Sequence, residues 1–178
     1  MMSKFKCISK SVLLLSMIIV LFSSCSKKDN ELNPDYVGTW MALQTITQDG
    51  MSIQFKDLMT FTKDGFSDLG QVYDVTTSKY LDYVKLNGTM SVSGAVMNIN
   101  ITEIGVSSFD PISGAPTGII SMYKEGTSQY DLIFTQTGQP KTFISEFSVA
   151  GTVLTLKTDN NNDGDYTDIN ETTFYTKQ

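Results

Sequence analysis

Residues 90–102 read Met90-Ser91-Val92-Ser93-Gly94-Ala95-Val96-Met97-Asn98-Ile99-Asn100-Ile101-Thr102. On the second arm Met97, Ile99 and Ile101 alternate with Asn98, Asn100 and Thr102. A period of two puts the apolar side chains on one face and the polar ones on the other, as in a half-buried antiparallel strand. Gly94 stands where the two arms meet, and glycine supplies the positive φ that a two-residue hairpin turn needs. The figure returns 57 residues later as Phe147-Ser148-Val149-Ala150-Gly151-Thr152-Val153-Leu154. We read the echo as two good hairpins rather than a duplicated fold, because repeat architectures need three or more copies to bury a continuous core.

Outward from this hairpin, Gly, Asn and Asp punctuate runs rich in Thr, Val, Ile, Phe and Tyr, the cadence of short strands joined by turns. The pattern predicts strands over 39–47, 52–63, 66–73, 89–93, 96–103, 118–124, 129–136, 142–149, 152–157 and 172–176. In 129–136, Tyr130, Leu132 and Phe134 alternate with Asp131 and Thr135. Segment 78–86 alternates badly as a strand, and Tyr80, Leu81 and Val84 would share a helical face, so it predicts one short helix. About ten strands leave costly edges unless the sheet closes or folds over itself. The expected fold is an all-β, antiparallel up-and-down barrel of 8–10 strands, with a β-sandwich as the alternative.

Composition narrows function. All 13 basic residues are Lys, against 19 Asp and Glu, for a net charge of −6. Lacking His, the chain has no Ser-His-Asp or Cys-His machinery and no histidine metal ligand. Lacking Arg, it has no guanidinium clamp for phosphate or a base edge. An acidic chain is a poor partner for nucleic acid. Ser121-x-x-Lys124 has the spacing of penicillin-interacting enzymes, but that motif works on a helix, and here it lies in a strand-like run. No carboxylate pair is marked out for sugar cleavage. Binding is therefore expected, rather than catalysis.

The first residues carry an address. Lys4, Lys6 and Lys10 precede an apolar run over 12–22, too short for an ordinary membrane span, and then Ser23, Ser24 and Cys25. This layout describes a secretory signal over 1–24. Leu21-Phe22-Ser23-Ser24-Cys25 resembles the lipobox of bacterial lipoproteins, which implies lipidation of Cys25 and attachment to the outer membrane in the cell envelope. Residues 25–36 then read as a polar tether and 37–178 as the folded domain. Cleavage would leave 154 residues with 10 Lys against 19 acids, a charge of −9, and no cysteine beyond Cys25. The body would then fold without disulfides.

Where the first strand opens, Val37-Gly38-Thr39-Trp40 resembles the Gly-x-Trp signature of lipocalins. Phe61-Thr-Lys-Asp-Gly65-Phe66, the two Ser-Val-x-Gly hairpins and Phe174-Tyr-Thr-Lys177 are similar to segments of lipocalin-like lipoproteins of the Bacteroidetes type. Main-family lipocalins lay an Arg over the Trp; without one, this chain resembles the looser calycin-like relatives. The resemblance implies that Gly38 turns the chain into the barrel, that Trp40 plugs its closed end, and that the cup holds a small apolar ligand. The competing expectation is a solid barrel that serves as a structural or interaction module for a protein or glycan. A monomer is expected in either case.

The sharpest local motif is Asp159-Asn-Asn161-Asn-Asp163-Gly164-Asp165-Tyr-Thr167-Asp168. Oxygen side chains at positions 1, 3 and 5 and Gly at 6 match the first half of a calcium loop. Position 12 is Asn170, so Asp168 would have to close the site. Asp159, Asn161, Asp163, Asp165 and Asp168 are thus the expected calcium ligands; the alternative is a solvated Asn/Asp/Gly hairpin tip.

Overall fold

In a computed structural model, which describes residues 34–48, 51–159, 166 and 171–178, the Gly94 hairpin forms as its sequence predicts. Ser93 pairs with Val96 across Gly94, whose φ is +61°, and Ala150 pairs with Val153 across Gly151, at +62°. In both, only the first turn residue has positive φ, the type II′ arrangement whose twist suits flanking strands.

Among the described residues there are nine strands and one helix. The strands are β1 (Gly38–Gln48), β2 (Met51–Phe61), β3 (Gly65–Asp74), β4 (Lys79–Ser93), β5 (Val96–Phe109), β6 (Pro116–Lys124), β7 (Thr142–Ala150), β8 (Val153–Thr158) and β9 (Thr172–Lys177). The helix, α1, spans Ser128–Thr137 between β6 and β7. Strands β1 to β5 pair in sequence, β5 then pairs with β7, β7 with β8, β8 with β9, and β9 with β1. Eight antiparallel strands therefore close a ring, which excludes the sandwich and removes the edges that an open sheet would carry. The fold is an all-β, lipocalin-like barrel.

The ninth strand, β6, lies outside the ring on the long β5. The first part of β5, Val96 to Asn100, pairs with β7, and its later part, from Glu103, pairs with β6. Where β7 leaves the wall, β6 takes its place. At Gly88 the backbone of β5 comes so close that a Cβ would run into the carbonyl oxygen of Asn100, so only glycine fits.

Two expectations are overturned, and they are exchanged. Of segment 78–86, expected as a helix, residues 79–86 belong to β4. Gly70 pairs with Val84 and Gln71 with Asp82, leaving Tyr83 as an extra residue, a β-bulge. The bulge shifts the phase of the strand, so its alternation fails and a three-residue step imitates a helical one. Segment 129–136, expected as a strand, lies within α1. Thr127 caps its start, accepting the Tyr130 N–H at 3.3 Å, and left-handed Gly138 ends it, donating to the Phe134 carbonyl at 3.0 Å. Tyr130 and Phe134, one turn apart, are buried, while Leu132 is 53% exposed.

The interior holds two apolar clusters. The larger gathers Trp40, Phe61, Phe66, Met90, Met97, Ile99, Leu154, Leu156 and Tyr175, with Tyr36 packed edge-on to Phe147 at 5.5 Å. The smaller joins Ile101 and Ile104 of β5 to Tyr130 and Phe134 of α1. Leu86 and Phe143 touch both clusters and link them.

Candidate ligand cavity and buried acid pair

Up-and-down strands place alternate turns at opposite ends of the ring. The 62–65, Gly94 and Gly151 turns share one end with the start of β1 and the finish of β9. Trp40 is fully buried there and donates its indole N–H to the Tyr36 carbonyl at 2.8 Å. Lys177 of β9 pairs with Trp40 in the ladder and sets its ammonium 5.2 Å from the centre of the ring. A lysine thus occupies the place over the tryptophan that the absence of arginine had left open. Gly38 has φ +139°, a conformation side chains rarely adopt, and a Cβ there would approach Lys177 Cε at 3.2 Å. Gly38 and Trp40 therefore stand together with Lys177 at the sealed end.

Away from this end the interior opens. A cavity of about 360 Å³ lies between α1 and the inner faces of β4 and β5. Its wall is Val84 and Leu86 of β4, Ile101, Ile104 and Val106 of β5, Ile133 and Phe134 of α1, and Phe143 of β7. Thr137 and Gln139 supply polar groups near the helix end. At the rim the bulged Tyr83 meets Phe109 edge-on, ring centres 6.2 Å apart. The bulge thus has a consequence for the site, because it brings an aromatic ring to the cavity.

The helix is fastened to the barrel wall. The Tyr130 hydroxyl donates to the Ile101 carbonyl at 2.5 Å, and the Ile101 N–H donates to the Lys141 carbonyl at 2.9 Å. Lys141 pairs with Asp131 at 2.6 Å and sits 5.1 Å from the Tyr130 ring centre. That ion pair is solvent-exposed and stabilises little; the buried hydroxyl and rings do more.

Two carboxylates share the barrel interior. Asp68 of β3 is 8% exposed, and its Oδ1 has no hydrogen-bond partner. Asp57 of β2 accepts the Tyr175 hydroxyl at 3.4 Å. Burial pushes the Asp68 carboxyl well above the usual carboxylate range, the Asp57 charge pushes it further, and the Leu69 N–H pulls it back. Burial also raises Asp57, against the pull of Tyr175, whose own phenol is raised by burial and by the two acids. Neither acid forms an ion pair with a Lys among the described residues. Across the β3–β4 ladder Asp68 faces Leu86 and Gly70 faces Val84, both residues of the cavity wall. A Cβ on Gly70 would lie 2.7 Å from Val84 Cγ1 and 3.6 Å from Asp57 Oδ1, so the acid pair abuts that wall.

The sequence carried a signal for this pair. Phe55, Asp57, Met59 and Phe61 share one phase, as do Phe66, Asp68 and Gly70. A carboxylate in the apolar phase of two adjacent strands is a buried charge. Lys177 could not be assigned to Trp40 without the β1–β9 register. Ser121 and Lys124 lie on β6, three residues apart, and so point to opposite faces. Cys25, Asn161, Asp163, Asp165 and Asp168 lie outside the described residues. Of the expected calcium ligands only Asp159 is described, and the other end of the loop is marked by the buried Glu171.

The described residues thus form an eight-stranded closed barrel with a tryptophan sealed into one end and an apolar cavity toward the other, a lipocalin-like architecture. Among solved structures, the chain is similar to a lipocalin-like protein from Bacteroides uniformis, with 18% identity and a TM-score of 0.40, over 82% of this chain and 100% of that one. No family model and no curated protein matches it.

Proposed function

We infer that this protein is a lipid-anchored binding protein of the bacterial cell envelope, whose barrel takes up a small, mainly apolar ligand. The observation that carries the reading is the 360 Å³ cavity beneath α1, walled by aliphatic and aromatic side chains. Its volume falls within the range of small-molecule sites, about 300–1,000 Å³, and its few polar groups fit a ligand with one polar end. A barrel serving only as a solid interaction module would have filled this space with side chains. The absence of His and Arg from the chain also favours binding over catalysis.

Titration with the neutral apolar dye N-phenyl-1-naphthylamine tests the reading. Saturable, blue-shifted fluorescence is expected, and Val106→Trp, which fills the cavity, should abolish it while leaving the far-UV spectrum intact. A native-like chain that never binds the dye would remove the proposal. Anchoring rests on Lys4, Lys6, Lys10, the apolar run and Cys25. Its test is metabolic labelling with palmitate: Cys25→Ala should lose the label and leave the membrane fraction, and labelling that persists would count against it.

A further inference from the structure

We propose that the cavity selects an amphiphile bearing a protonated amine, its apolar body beneath α1 and its ammonium against Asp68 and Asp57. The proposal rests on the cavity being a ligand site and adds the chemistry of the ligand's polar end. Asp68 Oδ1 is buried and unpartnered, in a fold whose other interior side chains are largely apolar. A buried polar group without a partner is costly, and a buried charge without a countercharge costs more. Tyr175 relieves Asp57 alone, at 3.4 Å, and no described Lys supplies a countercharge to either acid. Burial and, for Asp68, the neighbouring Asp57 charge disfavour the ionised form, and both carboxyls are shifted upward accordingly.

A ligand ammonium is the remedy, since it brings a full charge and several N–H donors to the same oxygens. The path is short, because Val84 and Leu86 belong to the cavity wall and also neighbour Gly70 and Asp68. At Gly70 the Val84 methyl fills the space beside Asp57, so Val84 is the one wall side chain that must turn for the head group to reach the acids. The same acids would repel the head of a fatty acid, so the site discriminates by sign as well as by fit.

The experiment is displacement of N-phenyl-1-naphthylamine from the full chain at neutral pH by octylamine, 1-octanol and octanoate, which share one tail length. Octylamine is expected to compete at least about ten-fold more strongly than octanol, and octanoate least of the three. Asp68→Asn should abolish the preference for amine while octanol competes as before; Asp57→Asn should weaken it. Octanol or octanoate equalling octylamine on the wild-type chain would overturn the proposal and leave the cavity reading intact. A folded chain that binds neither dye nor any of the three would overturn both. Because the amine preference is measured on the wild-type chain, a misfolded variant cannot rescue the proposal.

Discussion

Trp40 and Lys177 form one of the two ladder pairs between β1 and β9, the contact that closes the ring. Removing the indole leaves a large void in a sealed core, and Trp40→Ala is expected to cost about 3–5 kcal/mol in urea unfolding. Lys177→Met keeps the stem over Gly38 and loses only the charge above the ring, so it should cost no more than about 1 kcal/mol. Asp68 makes the opposite prediction. Its carboxyl is raised in the folded chain, so the native state binds more protons than the unfolded state above about pH 4. Its contribution to stability is most favourable at low pH and is lost as pH rises through the folded value. Thermal melts should therefore show Asp68→Asn more stable than wild type at pH 7, with the gain shrinking toward pH 4. A constant difference across that range would contradict the buried-acid assignment. Such a gain with loss of amine preference would mark Asp68 as a functional residue held at a cost to stability.

At the scale of elements, α1 is the part most dependent on its surroundings. Ten residues are too few for a helix to hold in water unaided. It persists through its Thr127 and Gly138 caps and through two rings buried against β5. Thr127→Ala is expected to cost about 1 kcal/mol, and Tyr130→Phe, which orphans the Ile101 carbonyl, a similar amount. Hydrogen exchange should locate both effects in the amides of α1 rather than in β1–β3. Since Ile133 and Phe134 wall the cavity, the same variants should speed dye release. The caps were legible in the sequence, with Thr127 before and Gly138 after a run in which Tyr130, Ile133, Phe134 and Thr137 share a helical face. Local alternation of Tyr130, Leu132 and Phe134 masked them, because in so short a window the two periods overlap. Segment 78–86 failed for the converse reason, since a bulge at Tyr83 is invisible until the partner strand is known.

For the molecule as a whole, closure sets both stability and site. The ring has no free edge, and the one described strand outside it, β6, pairs with the part of β5 that carries Ile104 and Val106 of the cavity wall. The loop between β8 and β9 joins two neighbouring ring strands, so a cation bound there would tie them together. On that expectation, millimolar Ca²⁺ should raise the melting temperature, and Asp163→Asn with Asp165→Asn should remove the shift. No heat in calorimetric titration and no change in melting would dismiss calcium.

The strands, the twin hairpins, Gly38 and Trp40 could all be read from the chain, because alternation and glycine turns are local consequences of side-chain periodicity and backbone sterics. The missing His and Arg were equally plain, and they restricted the chemistry before any fold was known. Tertiary structure alone decided the closing β1–β9 pair, the lysine over the tryptophan and the helix over the mouth. It also decided the meeting of Asp57, Asp68 and Tyr175 beside an open space. Each of these depends on register between segments apart in sequence, and a shift of one residue in the pairing of β2 or β3 would have turned its acid outward to water.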